Sequence, residues 1–156
     1  MYTIIEGYKI CGVIDLLEKD TNQLIHSLKK AADFKVVRNE QQDYLIAEDI
    51  KIHLTELLIL KNKSKADVLR RAEITEATGY QYFDGKRKPS REKMIALAIG
   101  LELTLEETDL LMKKTSYAKL YPKHEWDAVI IYGMTHQLSI QQLDELLFEE
   151  KLNTFL

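Results

Sequence analysis

The stretch from Ser64 to Arg91, SKADVLRRAEITEATGYQYFDGKRKPSR, contains the signals that decide the fold. Ser64 and Thr75 are residue types that cap helix N-termini, and each precedes a run with helical apolar spacing. The first predicted helix is short and ends before Thr75, and the second runs through about Phe83 and is terminated at Gly85. Two short helices joined by a tight turn form the core of a helix-turn-helix.

The chain on either side of this stretch repeats the helical pattern. Upstream, apolar residues at spacings of three and four predict a helix from about residue 47 to 60. Glu107, three residues after Thr104, completes a capping-box pattern, and Pro122 suits the first turn of another helix. Few breaks are expected, because the chain has six glycines and two prolines. Three further helices are predicted to begin at N-cap residues: Ser90, Thr104 and Ser139.

Three segments follow from this pattern. Residues 1–46 are predicted to form an N-terminal extension of two amphipathic helices, one over Ile10–Leu17 and one reaching Ala32. The polar run Arg38–Asp43 is predicted to be a connector. Residues 47–116 are predicted to form the helix-turn-helix domain, and residues 117–156 a helix pair packed on it.

Length and composition exclude several classes of protein. A chain of 156 residues with 46% hydrophobic residues and a net charge of −3 is typical of a folded domain and not of a disordered chain. The single cysteine, Cys11, cannot close an internal disulfide, and the first residues show no leader pattern. No apolar stretch approaches the roughly 20 residues needed to span a bilayer. We therefore expect a cytoplasmic protein with no membrane partner.

The charges are distributed unevenly along the chain. From Lys61 to Lys93 there are ten basic residues and five acidic ones, so the rest of the chain is strongly acidic. A basic segment inside an acidic protein is a candidate surface for binding a polyanion. A solvated helical face is the alternative, and charge alone does not separate the two.

Two segments, YFDGKRKPSR from Tyr82 to Arg91 and LAIGLELTLEET from Leu97 to Thr108, carry a family resemblance. They lie in a stretch of about 60 of the 156 residues that resembles the Xre/Cro-type helix-turn-helix domain of bacterial and phage repressors. The continuation YAKLYP, from Tyr117, is similar to firmicute proteins in which C-terminal helices extend that domain. The resemblance implies an all-α fold: a five-helix Xre/Cro-like helix-turn-helix bundle with N-terminal and C-terminal helical extensions.

The resemblance also implies roles for individual residues. Carried over by position, four residues lie on the exposed side of the third helix of the bundle, where they would read base edges: Glu76, Ala77, Tyr80 and Gln81. In the major groove glutamine pairs with adenine, glutamate accepts from cytosine, and alanine contacts the thymine methyl group. Sequence-specific binding of double-stranded DNA by a transcriptional regulator is therefore expected. Four basic residues flanking that helix are suited to phosphates: Lys65, Lys86, Arg87 and Lys88.

Three residues depart from the family pattern. Glu73 occupies a turn where the family often has glycine, Gly79 replaces a branched core residue, and Glu76 brings negative charge near the groove. These departures favour a second interpretation, in which the third helix only packs and the helix-turn-helix is a scaffold. The protein would then be a non-catalytic interaction module whose acidic N-terminal and C-terminal helices bind a partner protein.

Catalytic and metal chemistry have weak signals in this sequence. The four histidines are scattered, and none has the spacing of a metal ligand. Adjacent carboxylates such as Glu106 and Glu107 point to different sides of a helix, and no nucleophile or nucleotide-binding motif is present. Cys11 lies in an apolar stretch typical of a buried structural thiol. We expect no enzyme activity, no cofactor and no metal.

The last segment is more apolar than one packed face requires, which predicts a homodimer through the C-terminal helices. A single domain of this type contacts one half-site, and two-fold pairing would read a palindrome. The competing explanation is that the N-terminal helices cover this surface. The residues concerned are Leu143, Leu146, Leu147, Phe148, Leu152, Phe155 and Leu156.

Overall fold

The computed structural model describes residues 21–40 and 49–156, and every regular element in them is an α-helix. The predicted all-α class is confirmed for these residues. The chain divides into two compact units, Met1–Ala47 and Glu48–Leu156. The predicted helix over Ile10–Leu17 lies outside the described residues.

The described part of the first unit contains two helices, α1 over residues 21–30 and α2 (Phe34–Glu40). The prediction of one helix reaching Ala32 and then a connector from residue 38 was wrong. Helix α1 ends earlier, and residues 38–40 form the last turn of α2. The break has a local cause, because Asp33 Oδ1 accepts a hydrogen bond from the backbone N–H of Lys35 at 2.9 Å.

The charge of these two helices also differs from expectation. Residues 21–40 carry more cations than anions, and the other charged residues of the predicted N-terminal surface lie outside the described residues. The cations are Lys29, Lys30, Lys35 and Arg38, and the anions are Asp33 and Glu40.

The second unit is a bundle of short helices whose N-caps were largely predictable. Asp49 caps the first of them by accepting hydrogen bonds from two backbone N–H groups. All five predicted N-caps are confirmed, since in each the side-chain oxygen accepts from the backbone N–H three residues later at 3.1–3.4 Å: Ser64, Thr75, Ser90, Thr104 and Ser139. The helices are α3 (Ile50–Lys61), α4 (Lys65–Arg71), α5 (Glu76–Phe83), α6 (Arg91–Gly100), α7 (Leu105–Lys114), α8 (Glu125–Thr135) and α9 (Ile140–Glu149).

Six of these helices are followed by a residue in the left-handed region that is not glycine. We call these positions the left-handed helix ends. The next backbone N–H reaches the carbonyl five residues back, as from Ile74 to Leu69 and from Leu103 to Ala98, both at 3.0 Å. Ile74 and Leu103 are buried, so the reversal directs an apolar side chain into the core. The six residues, with φ between 50° and 60°, are Asn62, Glu73, Glu102, Ser116, Gln137 and Lys151.

One hydrophobic core joins all the helices of the second unit. Buried side chains from α3 to α7 belong to the same cluster as Ile130 of α8 and Leu143 of α9. Helices α4 and α6 approach closely at Gly100, where an added Cβ would lie 2.4 Å from the Val68 carbonyl oxygen. The C-terminal helices therefore pack directly on the remainder of this unit.

Helix α8 begins later than predicted. Pro122 lies in the turn before the helix and not in its first turn, and α8 begins at Glu125. The cause is Asp127, which is buried and accepts a hydrogen bond from the backbone N–H of Tyr121 at 2.9 Å. This bond folds the preceding turn back against the start of α8.

Most residues of the predicted dimer surface pack into the core of the second unit and are not available to a partner. What remains at the surface is Phe148, 75% exposed, and Leu156, 68% exposed. The other five of its seven apolar residues are buried or half-buried: Leu143, Leu146, Leu147, Leu152 and Phe155.

Candidate nucleic-acid interface

The outward face of α5 carries the residues predicted for base readout. Positions i, i+1, i+4 and i+5 share one side of a helix, and the other side packs on the core. The structure therefore brings the four predicted side chains onto one accessible surface. The exposed residues are Glu76, Ala77, Tyr80 and Gln81, and the buried ones are Gly79, Tyr82 and Phe83.

Gly79 permits the close approach of α5 to α4. A Cβ at this position would lie 2.0 Å from Leu69 Cδ2 and 2.7 Å from Leu69 Cγ. Because Leu69 is fully buried, a branched residue has no space here. Gly79 thus allows α5 to pack closely on α4 while its outward face stays exposed.

A basic loop, Lys86–Arg87–Lys88, follows the end of α5 after two intervening residues. The backbone N–H groups of Lys86 and Arg87 both donate to the Gln81 carbonyl, at 2.9 and 3.2 Å. All three cationic side chains are exposed, and none forms an ion pair with a residue that the structure describes. The loop therefore presents uncompensated positive charge beside the last turn of α5.

Lys51 on α3 is a fourth cation at this surface, and sequence reasoning missed it. A Cβ built on Gly85 would lie 3.5 Å from Lys51 Cβ, so the lysine adjoins the start of the basic loop. Its side chain is exposed and has no carboxylate partner among the residues described. No sequence signal identifies it, because it lies on a different helix and outside the basic segment.

Most other cations of the basic segment are paired with acidic side chains. Hydrogen bonding from Lys63 holds the pKa of the Glu102 carboxyl below its usual value, in spite of desolvation. The basic surface predicted over Lys61–Lys93 is therefore much smaller than its composition suggests. The ion pairs are Lys61–Glu107 (2.8 Å), Lys63–Glu102 (2.6 Å), Lys65–Asp84 (3.8 Å), Arg70–Asp67 (2.9 Å), Arg71–Glu102 and Arg91–Asp127 (2.8 Å).

Lys65, which was predicted to contact a phosphate, is only weakly paired with an acidic side chain. Its ammonium lies 3.8 Å from Asp84 Oδ1 and 5.6 Å from the ring centroid of Phe83. The side chain is 39% exposed, and an exposed pair at this distance is weak. Lys65 therefore retains part of its charge toward solvent, but less than the basic loop.

The two acidic departures occupy different surroundings. Glu73 is one of the left-handed helix ends, as the turn requires, and its carboxylate accepts a hydrogen bond from the Gln141 side chain of α9. Glu76 is exposed in the first turn of α5, where its negative charge interacts favourably with the helix dipole and stabilises the helix. Glu76 is thus the one acid among the four predicted readout side chains.

Other kinds of site have little support in the described residues. Within residues 21–40 and 49–156, no three His, Cys, Asp or Glu side chains are grouped so as to hold a metal ion, and no helix is long and apolar enough to cross a membrane. An open groove runs from the end of α4 to the start of α9, but its Arg71 and Glu102 are already paired with each other. Cys11 lies outside the described residues.

The surface defined by the outward face of α5, Lys51 and the basic loop is therefore the strongest candidate site. It combines hydrogen-bonding side chains on a helix with cations beside the end of that helix. No family model matches this chain, and no curated protein or solved structure shows a significant match to it.

Proposed function

We propose that this protein binds double-stranded DNA sequence-specifically, as a cytoplasmic transcriptional regulator without catalytic activity. Helix α5 lies in the major groove, and the basic loop contacts phosphates. One observation carries the proposal: the exposed face of α5 adjoins cations that the described acids leave unpaired, while the other cations nearby are mostly neutralised. Those cations are Lys51, Lys86, Arg87 and Lys88.

The division of labour follows from chemistry. Gln81 has the amide that pairs with adenine N6 and N7, Glu76 accepts from cytosine N4, and Ala77 fits against a thymine methyl group. Lysine and arginine on a loop hold phosphates and carry no sequence information themselves. Because the loop is hydrogen-bonded to the Gln81 carbonyl, a phosphate contact also fixes the position of Gln81 along the groove.

Two copies are proposed to bind a palindrome with half-sites about one helical turn apart. Phe148 and Leu156 are the apolar side chains left for a contact between copies through the C-terminal helices. Two side chains bury far less area than a stable interface requires. We therefore expect pairing on DNA and a monomer in its absence.

A protein-interaction module is the second candidate, and the apolar residues exposed on α3 favour it. Ile52 is 48% exposed and Ile59 is 75% exposed. They are seven residues apart and so lie on the same side of the helix. In the first unit Phe34 is 66% exposed. Under this candidate the basic loop is only a solvated surface.

Binding titrations against preferred and scrambled duplexes at several salt concentrations separate readout from positioning. The preferred duplex is first selected from genomic fragments with the wild-type protein. Replacing Lys86, Arg87 and Lys88 together by alanine should weaken binding to all duplexes and flatten the slope of log affinity against log salt by about 0.9 for each phosphate no longer neutralised. Gln81→Ala should instead cost about 1–3 kcal/mol on the preferred duplex alone and leave the salt dependence unchanged.

The matched control replaces three lysines elsewhere in the second unit, Lys113, Lys119 and Lys123, by alanine, which removes the same charge. This variant should bind as the wild type does. Full affinity in the basic-loop variant, or no enrichment of genomic fragments by the wild type, would show that the DNA proposal is wrong. The interaction module would then be favoured.

A further inference from the structure

The basic loop is fastened at its far end to the segment that leads into the C-terminal helices. The hydroxyl of Tyr117 donates a hydrogen bond to the backbone carbonyl of Pro89, the residue directly after the loop. The ammonium of Lys88 lies 5.2 Å from the centroid of the Tyr117 ring, within the range of a cation–π contact. One side chain thus touches both the loop backbone and one of its cations.

A second set of contacts holds the same segment two residues further along. Arg91 donates two hydrogen bonds to the Asp127 carboxylate, at 2.9 and 2.8 Å. It also donates to the backbone carbonyls of Ala118 at 2.9 Å and Lys119 at 3.1 Å. Arg91 therefore fixes the start of α6 to residues 118–127, and Tyr117 lies at the edge of this fixed region facing the loop.

The loop is consequently held at two ends by different parts of the chain. Its first amides are bonded to Gln81 on α5, and Pro89 is bonded to Tyr117. An exposed loop with three adjacent like charges would otherwise sample many conformations, which is an entropic cost at the moment of binding. A loop fixed in one conformation avoids that cost.

We propose that Tyr117 is a positioning residue that holds the basic loop in the conformation that contacts phosphates, so that the C-terminal segment sets the affinity for DNA. This inference rests on the proposed function. The hydroxyl suits the role because a tyrosine is protonated, and so a donor, across the physiological pH range, and burial raises the pKa of Tyr117 further above it.

The Tyr117→Phe variant tests the proposal, because it removes the hydroxyl and retains the ring beside Lys88. Tyr121→Phe is the control, since that side chain is exposed and its ring contacts His124 (centroid distance 5.1 Å), not the loop. Without DNA, the backbone amides of Lys86 and Arg87 should exchange hydrogen about three- to tenfold faster in Tyr117→Phe than in the wild type. The thermal midpoint of Tyr117→Phe should fall by no more than a few degrees, and that of Tyr121→Phe should match the wild type.

With DNA, Tyr117→Phe should bind preferred and scrambled duplexes about three- to tenfold more weakly, because a loop that is no longer fixed contacts phosphates in only a fraction of the complexes. The salt dependence should be flatter than in the wild type, which a general loss of stability would not produce. Tyr121→Phe should match the wild type in both measurements.

The outcomes separate the two proposals. If the wild type binds DNA and Tyr117→Phe binds equally well with the same salt dependence, the positioning role is wrong and the proposed function stands. If loop amides exchange at wild-type rates in Tyr117→Phe, the hydroxyl does not hold the loop, and the inference is overturned without any DNA. If the wild type binds no DNA, the proposed function fails, and the assigned benefit of the fixed loop fails with it.

Discussion

A missing methyl group at Gly79 sets the distance between α4 and α5. The close contact with Leu69 lets α5 settle against the core and keeps its opposite face exposed. Glycine lowers the intrinsic stability of the helix by about 1 kcal/mol relative to alanine, and the close packing on Leu69 offsets this cost. The orientation of the candidate readout residues therefore depends on a residue that contacts no ligand.

Gly79→Ala should lower the free energy of unfolding by about 1–3 kcal/mol, because the new methyl group overlaps a buried side chain and this outweighs the gain in propensity. Urea denaturation measures the change. Combining it with Leu69→Ala provides the control, since the smaller side chain leaves space for the methyl group. The effects of the two substitutions should then be less than additive. Simple additivity would contradict the assigned contact.

Helix boundaries could be predicted from sequence where the contact that fixes them joins residues close together in the chain. Each of the five predicted N-caps, such as Ser64, forms a hydrogen bond to a backbone group three residues later, so the adjacent sequence was enough to predict it. The start of α8 was misplaced because the Asp127 carboxylate, which Arg91 holds from 36 residues away, also binds the Tyr121 backbone N–H and so folds the turn before the helix. Local patterns thus located most helices but not the boundaries that tertiary contacts shift.

The candidate site shows the same limit. The carry-over by position put Gln81 and its neighbours on the exposed side of a helix, where they lie, and helical spacing predicted the helix itself. Neither revealed Lys51, which is brought to the surface by packing of α3. Neither revealed that Lys61 and Arg71 are neutralised, because their partners Glu107 and Glu102 lie 46 and 31 residues away. Which cations remain unpaired is a property of the fold.

The ion pair between Arg91 of α6 and Asp127 of α8 predicts that the stability of the protein depends on pH. Burial alone would raise the pKa of Asp127, but hydrogen bonds from Arg91 and from the Tyr121 backbone lower it by more, so the net pKa is lowered. Stability from a carboxyl with a lowered pKa is fully present above its unfolded value of about 3.9 and is lost as pH falls through the folded value.

Asp127→Asn should therefore lower the free energy of unfolding by about 1.5–3 kcal/mol at pH 7, the range for hydrogen bonds to charged groups. The difference from the wild type should shrink as the pH falls below 4. Chemical denaturation at pH 7 and pH 3 measures both values, and Asp144→Asn compares a second carboxylate that holds backbone amides, those of Phe155 and Leu156. A difference for Asp127→Asn that does not change with pH would contradict the assignment.

For the molecule as a whole, the local charge at the site opposes the net charge. The chain carries −3 overall, yet Lys51 and the basic loop leave a concentrated positive surface at one end of α5. Under the proposed function, the acidic remainder of the chain would repel DNA except where this surface faces it, which would favour a single orientation of approach. Association with DNA would then be sensitive to ionic strength, since screening weakens both the attraction and the repulsion.

The left-handed helix ends have a consequence for heat resistance. A residue with a Cβ is strained there, whereas glycine is not. Lys151→Gly should therefore raise the free energy of unfolding by about 0.5–1 kcal/mol and the melting temperature by a few degrees. Scanning calorimetry measures this, with Glu145→Gly inside α9 as the opposite case, expected to lower stability by about 1 kcal/mol. A lower melting point for Lys151→Gly would contradict the expectation. Glycine substitution at such helix ends is thus a way to raise the melting temperature of this protein.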